Sequence, residues 1–134
     1  MAGSILKISD AAVIGLHAIV VLVKTPDRLI SVKEIAAMLN VSANHLSKVM
    51  QRLVKAGFIE SIKGLNGGFR LTADLKDVSF LDIYEIFDGK LKESNCLLSE
   101  KRCQGECVLG DLVLSINKQV KEKFKQTMLS DILK

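Results

Sequence analysis

Proline occurs once in these 134 residues, tryptophan is absent, tyrosine occurs once, and aromatic residues make up only 4%. So little turn punctuation argues against a sandwich or barrel of many short strands, and so few rings exclude an aromatic platform for single-stranded nucleic acid. The apolar stretch Ala11–Val23 is short of the ~20 residues of a membrane span and is interrupted by His17, so it reads as a buried helix rather than a membrane segment. It also lacks the basic leader and small-residue cleavage site of a secretory signal. There is no P-loop, no G-x-S-x-G and no C-x-x-C, and neither histidine is near a cysteine in sequence, which leaves an enzyme or a small-molecule substrate without a motif. Three cysteines, an odd number confined to Cys96–Cys107, do not make a disulfide framework. They fit a reducing cytoplasm, where thiolates serve as metal ligands or redox groups.

With 49% hydrophobic and 25% charged residues, the chain has the make-up of one ordinary globular domain, and its composition favours helices. The formal charge is +4, and its placement says more than its size. Up to Asp74 there are nine Lys and Arg against five Asp and Glu, whereas Leu75–Lys134 has ten against ten. A basic half beside a neutral half is the layout of a polyanion-binding module joined to something else.

Ser9 or Asp10 can cap a first helix that runs to about Lys24, with apolar residues on nearly every face and Pro26 beyond its end. Ser31-Val32-Lys33-Glu34 reads as a capping box opening a short helix, with Ile35, Met38 and Leu39 as its apolar stripe. Asn40-Val41-Ser42 then turns into a helix whose stripe is Leu46, Val49, Met50, Leu53 and Val54, closed by Gly57. Two helices across so short a turn form a helix-turn-helix, in which the second enters the major groove. Phe58–Lys63 and Phe69–Thr72 can pair around Gly64-Leu65-Asn66-Gly67-Gly68, where Asn-Gly is a strong hairpin signal; this hairpin is the wing of a winged helix. Ser79 opens a further helix that closes at Gly89 and presents Phe80, Ile83, Tyr84 and Phe87 on one side. From about Val108, apolar residues recur every four positions through Leu112, Ile116, Val120, Phe124, Met128 and Ile132, with Leu109 and Val113 widening the stripe. A helix of over twenty residues with that stripe needs a partner, and the same helix of a second copy fits. The fold class expected is therefore mostly α with a small β wing. Residues 1–90 would form a winged helix-turn-helix domain, 91–107 a cysteine loop and 108–134 a dimerisation helix.

This order of elements resembles the Rrf2 family of bacterial winged-helix transcriptional regulators, and in particular its IscR- and NsrR-like iron–sulfur sensors. The most specific pieces are Lys63-Gly64-Leu65-Asn66-Gly67-Gly68-Phe69-Arg70-Leu71 in the wing and Cys96-Leu97-Leu98 ahead of Cys103 and Cys107. The resemblance implies a homodimeric repressor that binds a pseudo-palindromic operator in double-stranded DNA. It also implies a two-iron or four-iron cluster held by Cys96, Cys103 and Cys107, through which nitric oxide, redox or iron–sulfur status sets operator affinity. Such a cluster is readily lost in air, so a purified form can lack it. Several members take a fourth ligand from a His three residues after the last cysteine; Gly110 stands there in this chain. Others use an acidic residue of the partner subunit's first helix, and Asp10 matches that position. The gaps between the cysteines, six residues and then three, depart from the family's more usual second gap of about five.

Thiolates hold most iron–sulfur clusters, and Gly105 would let the segment wrap one. The same thiols also suit zinc, although the usual C-x-x-C or C-x4-C knuckle is missing, or a thiol switch, or no metal at all. A cluster-free member governed by a protein partner, or by a thiol or zinc switch, is thus the alternative. Asp10 is also a plain helix cap, and His17 a plain core or interface residue. For DNA contact, helical phase puts Ser42, Ala43, Asn44, His45 and Lys48 off the apolar stripe near the start of the recognition helix, and the wing adds Lys63, Asn66 and Arg70. Asn44 is suited to reading adenine, while Ser42 and Lys48 suit phosphate.

Overall fold

The structure is a computed structural model that describes residues 7–97 and 104–134. Among them the chain forms α1 (Asp10–Lys24), α2 (Val32–Leu39), α3 (Ala43–Lys55), β1 (Ile59–Ile62), β2 (Gly68–Leu71), α4 (Phe80–Asp88) and α5 (Gly110–Gln126), ending in a short 3-10 helix, Leu129–Leu133. Five helices around a two-stranded antiparallel sheet are the mostly α, winged fold class expected. None of these helices is long and apolar enough to cross a membrane.

Each of the first four helices starts on a serine whose hydroxyl accepts a free amide of the first turn: Ser9 from Ala12, Ser31 from Glu34, Ser42 from His45 and Ser79 from Asp82. Such a cap stabilises a helix by about 1 kcal/mol. The reciprocal half of the box forms at Ser79, where Asp82 accepts the Ser79 amide at 2.9 Å, but not at Ser31. There the Glu34 carboxylate accepts both guanidinium nitrogens of Arg28, at 3.1 and 2.9 Å, because a bidentate charged partner outcompetes one backbone amide. Hydrogen bonding from Arg28 holds the Glu34 carboxyl below its ordinary pKa.

α1 lies at the centre, packed by α2, α3, α4, β2 and the C-terminal 3-10 helix, which is why it is apolar on most faces. Ile19, Leu22, Ile35, Leu46, Met50, Leu53 and Ile83 are fully buried in one core. α1 and α4 approach so closely that a side chain at Gly15 would run into the Phe87 ring. One expected core position, Met38, and one residue expected in the core or at an interface, His17, are exposed. Met38 is 61% exposed, because α2 buries the Ile35, Ala36 and Leu39 side and Met38 lies past its edge. His17 is exposed on α1, its ring 2.7 Å from the Val13 carbonyl one turn back, and not a core histidine.

α3 ends in the hydrogen-bond pattern that favours a left-handed residue. Gly57, at φ +88°, donates to Val54, and Phe58 donates to Leu53. The strands pair from Ile59 with Leu71 to Ile62 with Gly68, so the wing loop has five residues instead of a tight Asn-Gly turn. Its turn runs from Gly64 to Gly67, with the Gly67 amide donating to the Gly64 carbonyl and neither Leu65 nor Asn66 at positive φ. β2 is also tied to the body on its other edge, where Ile30 and Phe69 exchange both backbone bonds at 2.8 and 3.2 Å.

The last helix departs most from expectation. It ends at Gln126, seventeen residues long, and Thr127 turns the chain out of helix. Leu129, fully buried, then docks in the main core. The cause is geometric: residues spaced by four advance 40° around a helix at each step, so the stripe from Val108 to Ile132 cannot stay on one face. Its later part, including Val120 and Phe124, turns toward α4 of the same chain, where Phe124 meets Tyr84 edge to face at 5.7 Å. Val108, Leu109 and Leu112 remain exposed at 99%, 47% and 58%.

Candidate nucleic-acid interface and cysteine site

The recognition-helix candidates are presented together. Ser42, Ala43, Asn44, His45 and Lys48 are all exposed, whereas Leu46, Val49, Met50 and Leu53 anchor α3 in the core. The Ser42 hydroxyl accepts the His45 amide at 3.0 Å, which leaves its O–H to donate outward from the positive end of the helix. The sequence reading overlooked Gln51, exposed one turn after Lys48; the spacing Asn44, Lys48, Gln51 was the available signal. Arg52, also on α3, is turned away from this face. It donates to the Ile86 carbonyl at 2.6 Å and stacks over Phe87 at 4.8 Å, fixing α3 to the end of α4.

In the wing, Lys63 and Asn66 are exposed and Leu65 stands fully out at the tip. Arg70 is exposed but faces Glu60 directly across the strands, and its Nε donates to that carboxylate. Its charge is therefore compensated within the wing. That pairing was invisible in sequence because it depends on register.

Cys96 and Cys107 line one cavity of about 270 Å³ with Asn95, Glu106 and Asp111 at the start of α5. Cys96 is half-buried and Cys107 exposed. Ser94 accepts the Cys96 amide at 3.1 Å, and Asn117 on α5 donates to the Ser94 carbonyl at 2.7 Å, so α5 holds the approach to Cys96. α5 has no capping side chain at Leu109; the Cys107 sulfur accepts the Leu109 amide at 3.4 Å instead. Cys103 lies outside the described residues. Among the described residues no three His, Cys, Asp or Glu side chains come close enough together to hold a metal.

Asp10 is not brought to these thiols within the chain. It follows the Ser9 cap as the first residue of α1, and it lines a separate cavity of about 510 Å³ with His17, Ser42 and His45. Two thiols at one cavity fit a soft metal or an iron–sulfur centre, provided further ligands come from elsewhere.

The profile of the Rrf2 family, described as an iron-dependent transcriptional regulator, matches residues 8–134. A putative HTH-type transcriptional regulator of Aquifex aeolicus is 32% identical over 129 residues, covering 93% of this chain and 90% of that protein. The HTH-type transcriptional regulator NsrR of Halalkalibacterium halodurans is 37% identical over 84 residues, covering 63% of this chain and 56% of that protein. Among solved structures, CymR, the global cysteine regulator of B. subtilis, superposes with a TM-score of 0.79 at 29% identity and 96% coverage of each chain.

Proposed function

This chain belongs to the Rrf2 family of transcriptional regulators, and from that premise we propose that it is a homodimeric DNA-binding repressor whose operator affinity is set by an iron–sulfur centre at its cysteines. The observation that carries the reading is the meeting of Cys96 and Cys107 at one cavity where α5 begins. Cys96, Cys107 and Cys103 would hold the group, with Asp10 of the second copy as a fourth ligand. When bound, the group supplies iron that reacts with nitric oxide or oxygen.

The chain's own residues do the rest. Ser42, Ala43, Asn44, His45 and Lys48 enter the major groove, where Asn44 reads a base edge and Ser42 and Lys48 grip phosphate. Lys63, Asn66 and Arg70 bring the wing to the backbone or minor groove. Val108, Leu109 and Leu112, exposed just before and within the first turn of α5, form the seam between two copies, so residues 108–134 join them there and dock on their own domain beyond it. Ordering the cysteine segment changes how the two recognition helices are spaced; a few kcal/mol of coupling is enough to switch occupancy.

The test is a visible spectrum with iron and sulfide analysis of protein purified without oxygen, followed by gel shifts at moderate salt before and after nitric oxide. Matched iron and sulfide, with a retarded operator released by nitric oxide, is the expected result. Protein that takes up no iron on reconstitution while still retarding DNA overturns the cluster. That outcome favours the second reading, a thiol switch, which the Cys107 sulfur at the uncapped start of α5 and the likeness to CymR support.

On DNA, Lys48→Ala should weaken operator and random sequences alike and reduce the salt slope by about 1, as for one lost phosphate contact. Asn44→Ala should relax preference at one base position, a discrimination of about 1–3 kcal/mol. Competition titrations over a salt series distinguish these from an unchanged protein.

A further inference from the structure

A third cavity, of about 410 Å³, opens between the segment before α1, the end of α4 and the stretch of chain leading to Cys96. Its volume falls within the range of small-molecule sites. Three cations line it, Lys7, Lys90 and Lys92, and none of them has an ion-pair partner among the described residues. Asp88 is the single carboxylate in the described lining, and it already accepts the Ser9 amide at 3.0 Å. Like charges around one recess repel each other unless a counter-ion joins them.

Tyr84 lines this cavity as well. Its ring packs edge to face on Phe124, whereas its hydroxyl is reachable by solvent and has no hydrogen-bond partner among the described residues, so it can donate to an occupant. Burial, with Asp88 and Glu85 nearby, raises the Tyr84 pKa, so the group stays a donor at neutral pH. Ile8 and Leu91 supply apolar wall, and neither the cysteine chemistry nor DNA binding uses any of these side chains.

We propose that this cavity binds a small organic anion, carrying carboxylate or phosphate groups on a short carbon body. The lysines neutralise its charge, Tyr84 donates to it, and the apolar wall covers its carbons. Cys96 and Leu97 form one side of the recess, and Lys7 already donates to the Leu97 carbonyl at 3.4 Å. An occupant therefore ties the start of the chain to the cysteine segment. The site stands whether or not the cysteines hold a metal.

The test is calorimetric titration of the full chain at low salt with citrate, O-phosphoserine and inorganic phosphate. One organic anion per chain is expected to bind, more tightly than inorganic phosphate, which has no carbon body to cover. Preference for citrate identifies carboxylate chemistry, and preference for O-phosphoserine identifies phosphate. Replacing Lys90 and Lys92 together by Gln should weaken binding about tenfold or more, and Tyr84→Phe about three- to tenfold, as for one lost hydrogen bond. Tyr84→Phe keeps the ring against Phe124, and far-ultraviolet circular dichroism checks its fold. No organic anion bound at low salt, or binding indifferent to Tyr84→Phe, overturns the site and leaves only a diffuse cationic surface.

Discussion

Leu129→Ala is expected to lower the free energy of unfolding by about 2–5 kcal/mol, the range for truncating a fully buried leucine where the site cannot collapse. Such a loss is a large share of the about 5–15 kcal/mol that holds a domain of this size together. Leu129 is 0% exposed and belongs to the main core, although it lies three residues past the end of α5. Its amide donates to the Val78 carbonyl at 2.9 Å, the Ser130 amide to Leu75 at 3.0 Å, and Phe80 returns a bond to Thr127 at 2.9 Å. The truncation therefore opens a void beneath a segment that also satisfies the backbone leading into α4. Urea denaturation at fixed protein concentration measures it, with Leu65→Ala as the control. Leu65 stands fully exposed at the wing tip, so its truncation should stay within about 0.5 kcal/mol. Equal effects from the two would mean that the C-terminal segment is not docked.

Gly68→Ala is expected to cost about 1–3 kcal/mol and to weaken DNA binding without altering any residue placed on DNA. A Cβ there would lie 2.6 Å from both the carbonyl carbon and the oxygen of Ile30. These are backbone atoms, so no rotamer relieves the contact; β2 must move away from Ile30. The movement breaks the paired bonds between Ile30 and Phe69 that fix the wing to the body. Amide exchange reads this directly: Phe69 and Ile30 should exchange faster in the variant, while Leu46 and Met50, within α3, keep their protection at matched global stability. Unchanged exchange at Phe69 would show that the wing is not held through Ile30.

Most of the winged domain could be read from local signals. The caps at Ser31 and Ser79, the apolar phase of α3, the glycine after it and the glycine-rich wing are features of residues near one another in the chain, and the structure has them where they were expected; α4 differs in burying Leu81 beside Ile83 and Tyr84 and leaving Phe80 and Phe87 half-buried. The exposed set from Ser42 to Lys48 follows from the same arithmetic, because once one face of a helix is buried the opposite face is fixed. Where reading failed, a distant residue had intervened. Glu34 leaves its box for Arg28, Arg70 meets Glu60 through strand register, and Arg52 turns to α4 rather than to the exposed face of α3.

The sequence by itself determined the class of fold, the order of its elements, the exposed polar face of the recognition helix and the clustering of cysteines, since each rests on periodicity or spacing within a few turns of chain. Only the tertiary structure decided where the last helix ends, which part of its stripe packs on α4 and which stays exposed, and that Cys96 and Cys107 share a cavity from which Asp10 is absent. The reason is that a helical stripe records how apolar a face is, not which surface will cover it. That choice is made by packing between residues far apart in the chain, where Leu129 finds a better home in the core than in one more turn of helix.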